Sequence, residues 1–163
     1  MPSDLTRRDA RALQASMSAG TVVVASTGAG HFEQIMLDGR HTLHADEPVS
    51  VGGGDTGPGP YELLLMALGS CTSMTVHMYA ARKQWALAQV IVTLSHRRVH
   101  AQDCADCEDR NSMLDRIDKK IELIGTLDEA QRTRLAEIAD HCPVHRTLTS
   151  RVDIRTELVS AAG

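Results

Sequence analysis

The sequence is poor in aromatic side chains: its 163 residues include one Phe, two Tyr and one Trp. Single-stranded nucleic acids and sugars are commonly bound by stacking on aromatic faces, so the composition argues against either kind of binding surface. The chain also lacks an excess of positive charge, because 21 Asp and Glu outnumber 17 Lys and Arg and give a formal net charge of −4. A basic surface that neutralises phosphates is not expected, and we predict no nucleic-acid partner.

An export signal is also missing from the start of the sequence. Charged side chains at positions 4, 7, 8, 9 and 11 fall where the apolar run of such a signal would lie. We therefore predict a surface helix over residues 1–20, a single domain over residues 21–163 and a cytoplasmic location. With 42% apolar residues the chain can build a core without cross-links. In a reducing compartment its four cysteines, at positions 71, 104, 107 and 142, more often indicate metal chemistry, redox chemistry or buried thiols than structural disulfides.

Three extended runs are predicted in the first third of the chain, over residues 21–26, 32–37 and 41–45. The Asp38-Gly39 pair between the second and third runs is a strong hairpin signal. A stretch rich in glycine and proline at 52–60 then interrupts regular structure, and its spacing matches the G-x-G-x-x-G pattern of dinucleotide loops. In a dinucleotide loop the helix starts inside the pattern, and an acidic residue ends a second parallel strand about 20 residues on. Both features are missing here, so we predict a flexible or turn-forming loop instead.

A long helix is predicted from Pro60 to about Gln84, since proline fits the first helical position. Residues 63–76 carry no charge, so this helix is apolar on every side. A membrane span needs roughly 20 such residues. Glu62, His77 and several hydroxyl side chains argue instead for burial within the protein. We therefore predict that this is the central helix of the core.

The second half of the sequence alternates between strand and helix patterns. Strands are predicted around residues 90–94 and 117–123, joined by a polar loop that holds Cys104 and Cys107. A capping-box match at 126–129 predicts a helix that ends near His141. The side chains of this helix that we expect to face inward are Leu127, Ala130, Leu135 and Ile138. Residues 152–158 alternate between apolar and charged side chains, which predicts a final half-buried strand, and the order of elements indicates an α+β fold built on antiparallel sheet.

Two pairs of residues have the spacing of zinc ligands. Cys104 and Cys107 form one pair, and Cys142 and His145 form the other. The stretch between the pairs is longer than in compact zinc modules, so a four-ligand site is only one of several alternatives. The others are a metal held by Cys104, Cys107 and His100, and an exposed loop with two reduced thiols.

Cys71 and Cys142 are distinct from the loop cysteines because both are predicted to face the core. Burial raises the pKa of a thiol, and the helical neighbours of Cys71 one turn away are uncharged, so an activating cation must come from another element. Cys142 directly precedes Pro143 and is predicted to cap the next helical turn, where free amide hydrogens favour a thiolate. It also lies four residues after Ile138 and points to the same core face. Two inward thiols on separate helices are either a redox pair or two buried reduced cysteines.

Two longer motifs surround these cysteines. Residues 57–72 read GPGPYELLLMALGSCT, and residues 142–148 read CPVHRTL. Together they resemble the OsmC/Ohr family of thiol-dependent peroxidases in sequence, order and separation, over roughly residues 20–160. The resemblance implies an OsmC-like fold, in which antiparallel β-sheets wrap around long central helices in an intertwined homodimer with active sites at the subunit interface. The loop with Cys104 and Cys107 resembles one subgroup of the family rather than the classical organic hydroperoxide reductases.

The resemblance also implies an activity and a set of catalytic residues. Family members reduce hydroperoxides, preferentially organic ones, with two cysteines. By analogy Cys71 is the peroxidatic thiolate, and Cys142 resolves its sulfenic acid to a disulfide that an external dithiol reduces. Arg40, after the Asp38-Gly39 turn, is the best match to the family's activating arginine, and Glu62 is the candidate carboxylate that orients it. Glu62 lies nine residues before Cys71, whereas the classical reductases place the acid ten before.

Several further expectations complete this interpretation. No cofactor or metal is required by the two-cysteine cycle, and the predicted partners are a small hydroperoxide, a dithiol reductant and a second copy of the chain. The scarcity of aromatic residues predicts an aliphatic pocket beside Cys71, suited to the alkyl chain of a peroxide. The alternative function is a non-catalytic or zinc-stabilised binding protein of the same fold.

Overall fold

The computed structural model of the chain describes residues 12–100 and 113–159, in two compact units, Met1–Leu64 and Leu65–Gly163. Of the helix predicted over residues 1–20, residues 12–15 are helical, and the first 11 residues lie outside the described part. The predicted loop cysteines, Cys104 and Cys107, also lie outside it. The division into a leading helix and a single domain stays a prediction.

The first unit contains a three-stranded antiparallel sheet in the order β1-β2-β3. Its strands are β1 (Val23–Ser26), β2 (Gln34–Leu37) and β3 (Thr42–Ala45). Between β2 and β3 the Asp38 carboxylate accepts hydrogen bonds from the N–H groups of Arg40 (2.9 Å) and His41 (2.6 Å). Gly39 has a φ of 90°, a conformation that favours glycine. The predicted strands and their Asp-Gly hairpin are therefore confirmed.

The glycine-rich loop after β3 is organised by one buried carboxylate. Asp46 is 3% exposed and accepts hydrogen bonds from the N–H groups of Gly54 (2.9 Å) and Thr56 (3.3 Å). Glycine is needed at two further positions, because a Cβ on Gly53 or Gly57 would overlap the backbone of the preceding segment. Amide hydrogens that a dinucleotide phosphate would use are thus already bonded, and of the two predicted alternatives the loop is the turn-forming one.

Asp46 is expected to make the folded state sensitive to acid. Burial opposes its ionisation, but hydrogen bonds from the N–H groups of Glu47, Thr56 and Gly54 outweigh burial and hold the pKa of the carboxyl below its ordinary value of 3.8. A carboxyl whose pKa is lowered by folding stabilises the protein above its unfolded pKa, and this contribution is lost as the pH falls through its lowered folded pKa. We expect Asp46→Asn to lower the Tm at pH 7 by roughly 5 °C, and by progressively less as the pH falls below 3.8.

Calorimetry across this pH range tests the prediction, with Asp55→Asn as the matched control. Asp55 is exposed in the same loop and has a φ of 55°, which asparagine tolerates. We expect the control to leave the Tm almost unchanged at every pH. A loss of Tm in Asp46→Asn that does not change with pH would contradict the assigned role of the carboxylate.

Helix α1 (Pro60–Arg82) begins at the predicted proline, with Glu62 in its first turn, where a negative charge complements the helix dipole. Its fully buried positions form one narrow stripe: Leu68, Gly69, Thr72, Val76 and Ala80. Another side exposes large apolar side chains, since Met66, Met74 and Met78 are 57%, 70% and 52% exposed. The prediction of a core helix holds for this buried stripe, whereas the rest of the apolar surface of α1 is left uncovered in the single chain.

Among the described residues, α1 is the one helix whose length and composition would also suit a membrane span, with a mean hydropathy of 1.3. Core helices share both properties. Within the second unit, Val76 and Ala80 of α1 form a buried cluster with Leu135 and Ala139. This packing is that of a helix in a protein core.

A long hairpin follows α1 in the second unit. Strands β4 (Ala86–His100) and β5 (Met113–Thr126) pair antiparallel, with a register shift between Leu87 and Gln89. The apolar side chains on the predicted inward faces are all half-buried: Val90, Val92, Leu94, Ile117, Ile121 and Leu123. Both predicted strands are therefore confirmed, and both are longer than predicted.

Helices α2 (Glu129–Ala139) and α3 (Pro143–Leu148) complete the regular structure. Asp128 caps α2: its carboxylate accepts the Gln131 N–H, and the Gln131 side chain accepts the Asp128 N–H. The capping box predicted at 126–129 is wrong, because Thr126 is still the last residue of β5. Of the predicted inward positions, Ala130 is exposed, whereas the buried or half-buried ones are Leu127, Leu135 and Ile138.

The final strand predicted at 152–158 is not formed in the single chain. Residues 151–159 carry no regular structure, and Ile154 and Leu158 are 84% and 98% exposed. A strand needs a neighbour that pairs with its N–H and C=O groups. In the described ranges, the two sheets contain only β1 to β3 and β4 with β5, and neither includes residues 151–159. The alternating sequence of this segment is that of a half-buried strand, but its apolar side chains are exposed in the single chain.

Candidate active site

Cys71 and Cys142 lie together in the second unit. Cys71 is half-buried in the middle of α1, and Cys142 is fully buried at the N-cap of α3, the position that the sequence predicted for it. Both thiols are free, and the Cys71 side chain is close enough to Cys142 to help lower the pKa of the Cys142 thiol. The structure therefore brings together the two cysteines that the sequence placed on separate helices.

The Cys142 sulfur is held by two polar contacts from different helices. The Thr72 hydroxyl of α1 lies 3.5 Å from it, and the His145 N–H of α3 donates to it over 3.3 Å. Burial raises the pKa of Cys142, but these contacts, the hydrogen bond from Cys71 and the positive charge of Lys119 together hold it below the ordinary value of 9.0. A buried thiolate at Cys142 is thus stabilised by its surroundings.

Lys119 reaches this region from β5. Its ammonium donates to the Ala139 carbonyl over 2.9 Å and pairs with the Asp140 carboxylate over 3.0 Å, and its side chain is 12% exposed. Sequence analysis did not identify Lys119. A signal was present, because Lys119 shares the inward face of β5 with Ile117 and Ile121, and a lysine on a buried face is usually paired.

A shallow pocket of about 350 Å³ opens beside Cys71. Its other lining residues are mostly aliphatic: Ala67, Ser70, Met74, Thr75, Met78, Pro143 and Val144. The hydroxyl groups of Ser70 and Thr75 donate to the carbonyl groups of Ala67 (3.1 Å) and Cys71 (2.8 Å) within α1. The surface offered to a ligand beside the thiol is therefore largely apolar, in agreement with the aliphatic pocket predicted from the composition.

Arg40 lies in the first unit, whereas both cysteines lie in the second. It is exposed in the turn between β2 and β3. Hydrogen bonds from the backbone N–H and the side chain of His41, together with a weaker contribution from the Arg40 N–H, hold the pKa of the Asp38 carboxyl well below its usual range. The acid and the backbone thus fix this turn, and a role for the Arg40 guanidinium in catalysis stays a prediction.

Glu62 is exposed in the first turn of α1. Its carboxylate lies over Gly59, where an added Cβ would come within 2.6 Å of Glu62 Oε2. In the described part of the first unit, ion pairs join histidines to acidic residues rather than Arg40 to Glu62. The single chain does not bring the predicted arginine and carboxylate together, and the orienting role of Glu62 stays a prediction.

The matched family accounts for the two cysteine motifs. Residues 52–157 match the family model described as OsmC-like protein. The chain belongs to this family. The matched range contains Cys71, Cys142 and the motifs around them, so the resemblance stated from the sequence is confirmed.

Solved structures share this fold at low sequence identity. The OsmC-like protein of Mycoplasma pneumoniae has a TM-score of 0.58 and 17% identity, with 82% of this chain and 88% of that chain covered. The organic hydroperoxide resistance protein OsmC of Legionella pneumophila has a TM-score of 0.57 and 17% identity, with 84% of this chain and 95% of that chain covered. OhrB of Bacillus subtilis, also an organic hydroperoxide resistance protein, has a TM-score of 0.54 and 17% identity, with 82% of this chain and 92% of that chain covered. No curated protein matches the sequence significantly. The α+β fold, with antiparallel sheets and a long helix, is that of OsmC-like proteins, as predicted.

The zinc alternatives depend partly on residues outside the described ranges, namely Cys104 and Cys107. Within residues 12–100 and 113–159, no three His, Cys, Asp or Glu side chains are arranged to hold a metal ion. The Cys142 sulfur accepts the His145 N–H, and the His145 ring lies 3.9 Å from the Asp140 carboxylate. In this OsmC-like protein the Cys142 sulfur therefore caps the N-terminus of α3 through the backbone N–H of His145.

Proposed function

We propose that this OsmC-like protein is a thiol-dependent peroxidase that reduces organic hydroperoxides to alcohols. The observation that carries the proposal is the proximity of two free thiols: Cys71 is half-buried beside an apolar pocket, and Cys142 is fully buried. An alkyl peroxide can approach the first thiol, while the second is shielded from it. Two structural neighbours at low identity are named organic hydroperoxide resistance proteins, which supports the same chemistry.

The proposed cycle needs two thiols and an external dithiol. The Cys71 thiolate attacks the terminal oxygen of the hydroperoxide, the O–O bond breaks, and the alcohol leaves after taking up a proton, so that the sulfur becomes a sulfenic acid. The Cys142 thiolate then attacks that sulfur, and the hydroxide that leaves takes up a proton to become water. Exchange with an external dithiol reduces the resulting disulfide and returns both thiols.

Arg40 and Glu62 complete the proposed site. The neighbours of Cys71 on its own helix are uncharged, so its thiolate needs a cation from another element, and a guanidinium can supply that charge. In the proposal Arg40 is this cation, and Glu62 orients it through a paired carboxylate. Following the family resemblance, we place the complete site at the interface between two subunits.

We further infer an intertwined homodimer. Helix α1 exposes the apolar side chains of Met66, Met74 and Met78, and residues 151–159 expose an unpaired alternating segment. Large exposed apolar surfaces mark interaction sites, and a two-fold dimer covers the same surface on both copies. A second copy would cover α1 and offer a strand edge to residues 151–159. A cytoplasmic location is part of the proposal, because a reducing compartment keeps both thiols reduced and supplies a dithiol.

Consumption of an alkyl hydroperoxide tests the proposed function. We expect the purified protein to consume cumene hydroperoxide in the presence of dithiothreitol well above the rate with dithiothreitol alone, and to consume hydrogen peroxide more slowly because the pocket is apolar. Without dithiothreitol, mass spectrometry of unreduced peptides should show a disulfide between Cys71 and Cys142. Stoichiometric zinc and no consumption of hydroperoxide would overturn the proposal in favour of a zinc-stabilised binding protein of the same fold.

A further inference from the structure

Thr72 is a fully buried polar side chain directly after Cys71 on α1. Its hydroxyl lies 3.5 Å from the Cys142 sulfur, which is also fully buried. Thr75, one turn later, instead donates to the Cys71 carbonyl over 2.8 Å, as threonine commonly does within a helix. The contact of Thr72 thus leaves its own helix and reaches the second thiol.

We propose that Thr72 is the positioning residue for Cys142: its hydroxyl holds the Cys142 sulfur against α1, beside Cys71. Consecutive residues on a helix are separated by about 100°. Cys71 can therefore line the pocket while Thr72 belongs to the buried stripe of the same helix. Two adjacent residues of α1 thus present one thiol to the pocket and anchor the other.

The contact between the Thr72 hydroxyl and the Cys142 sulfur, which we call the anchor, affects the ionisation of the thiol because both residues are fully buried. Burial alone would raise the pKa of Cys142, and the hydroxyl of Thr72 is the strongest of the contacts that lower it. A hydroxyl that donates to a thiolate is a charge-assisted hydrogen bond, and water does not compete at a fully buried site. The His145 N–H supports the sulfur from α3, so the sulfur is held between two helices.

The effect on turnover rests on the proposed peroxidase function. The first step takes place at Cys71, whereas Cys142 acts only in the second, when its thiolate attacks the sulfenic acid, an S–S bond forms, the S–O bond breaks, and hydroxide leaves as water after protonation. The hydroxyl of Thr72 orients the attacking sulfur and loses no proton. Its removal should therefore slow disulfide formation without slowing the reaction with hydroperoxide.

Titration of the Cys142 thiol tests the anchor without any turnover. The thiolate absorbance near 240 nm is measured against pH in the full chain, and the same titration of Cys142→Ser is subtracted. The difference gives the midpoint of the Cys142 titration. We expect Thr72→Val, which removes the hydroxyl at nearly constant volume, to raise the midpoint by about 1 pH unit. Thr72→Ser keeps the hydroxyl and should keep the midpoint. The control is Thr147→Val, since Thr147 is exposed on α3 and its hydroxyl donates to the Pro143 carbonyl within that helix.

Single-turnover kinetics supply the second measurement. After one equivalent of cumene hydroperoxide, Thr72→Val should form the Cys71 sulfenic acid at the wild-type rate. It should form the disulfide roughly 10-fold more slowly, because a Cys142 pKa raised by about 1 unit lowers the thiolate fraction about 10-fold. Should valine disturb packing, Thr72→Ala removes the hydroxyl without adding bulk. An unchanged midpoint in Thr72→Val and Thr72→Ala, or the same shift in Thr72→Ser, would overturn the proposal. Failure to reduce hydroperoxide would overturn only the proposed function, because the titration does not depend on it.

Discussion

Replacing Cys71 with serine should abolish hydroperoxide reduction, lowering the rate by roughly 10³-fold or more, because a serine hydroxyl cannot form the sulfenic acid on which the cycle depends. Cys71 is the thiol of the pair that lines the apolar pocket, whereas Cys142 is fully buried. Stopped-flow mixing of reduced protein with cumene hydroperoxide measures the loss. Equal rates for the wild type and Cys71→Ser would contradict the proposed function.

Cys142→Ser is the matched variant, and it should behave differently. We expect it to react once with hydroperoxide at close to the wild-type rate and then to stop, because its sulfenic acid has no resolving thiol. A cyclic 1,3-dione should label Cys71 in this variant and label nothing in Cys71→Ser. The opposite labelling pattern would assign the peroxidatic role to Cys142, whose thiolate is stabilised by its surroundings.

The pair of cysteines could be predicted from the sequence because its determinants are local. Cys142 precedes Pro143, which fixes the start of a helical turn, and the α2 pattern sets the direction in which Cys142 points. The contact between the Thr72 hydroxyl and the Cys142 sulfur had no such signal, since Thr72 is one of several hydroxyl residues on α1 and its partner is distant in the sequence. The position of Arg40 relative to the thiols also depends on tertiary arrangement, which no local pattern encodes.

The fold shows the same limit of local patterns. The Asp38-Gly39 hairpin and the long apolar helix were predicted correctly, because turn chemistry and periodicity determine them within a few residues. The strand at 152–158 was predicted incorrectly for the single chain, and the apolar surface of α1 is buried along only one stripe. Both findings have one cause: a periodic pattern shows which side chains are expected to be buried, but not which chain buries them. The exposed side of α1 and the unpaired segment are therefore the strongest arguments for a second copy.

Replacing Met66 with glutamate should convert the proposed dimer into monomers. Met66 is 57% exposed on the apolar side of α1, and it does not line the pocket beside Cys71. In a two-fold dimer one substitution places an unpaired carboxylate in the interface of each copy, and burying such charges is costly. We expect the dimer Kd to rise by roughly 10³-fold or more. Size-exclusion chromatography with light scattering at micromolar concentration measures the change in mass.

Met66→Leu is the control, since it keeps an apolar side chain of similar volume and should leave the dimer intact. The monomeric variant also separates the two parts of the proposed site. The second unit of one chain contains both thiols together with Thr72 and His145. The titration midpoint of Cys142 should therefore be unchanged in Met66→Glu. Hydroperoxide reduction should fall sharply, because the proposed site forms at the subunit interface. A monomeric wild type with full activity would contradict both the dimer and a shared site.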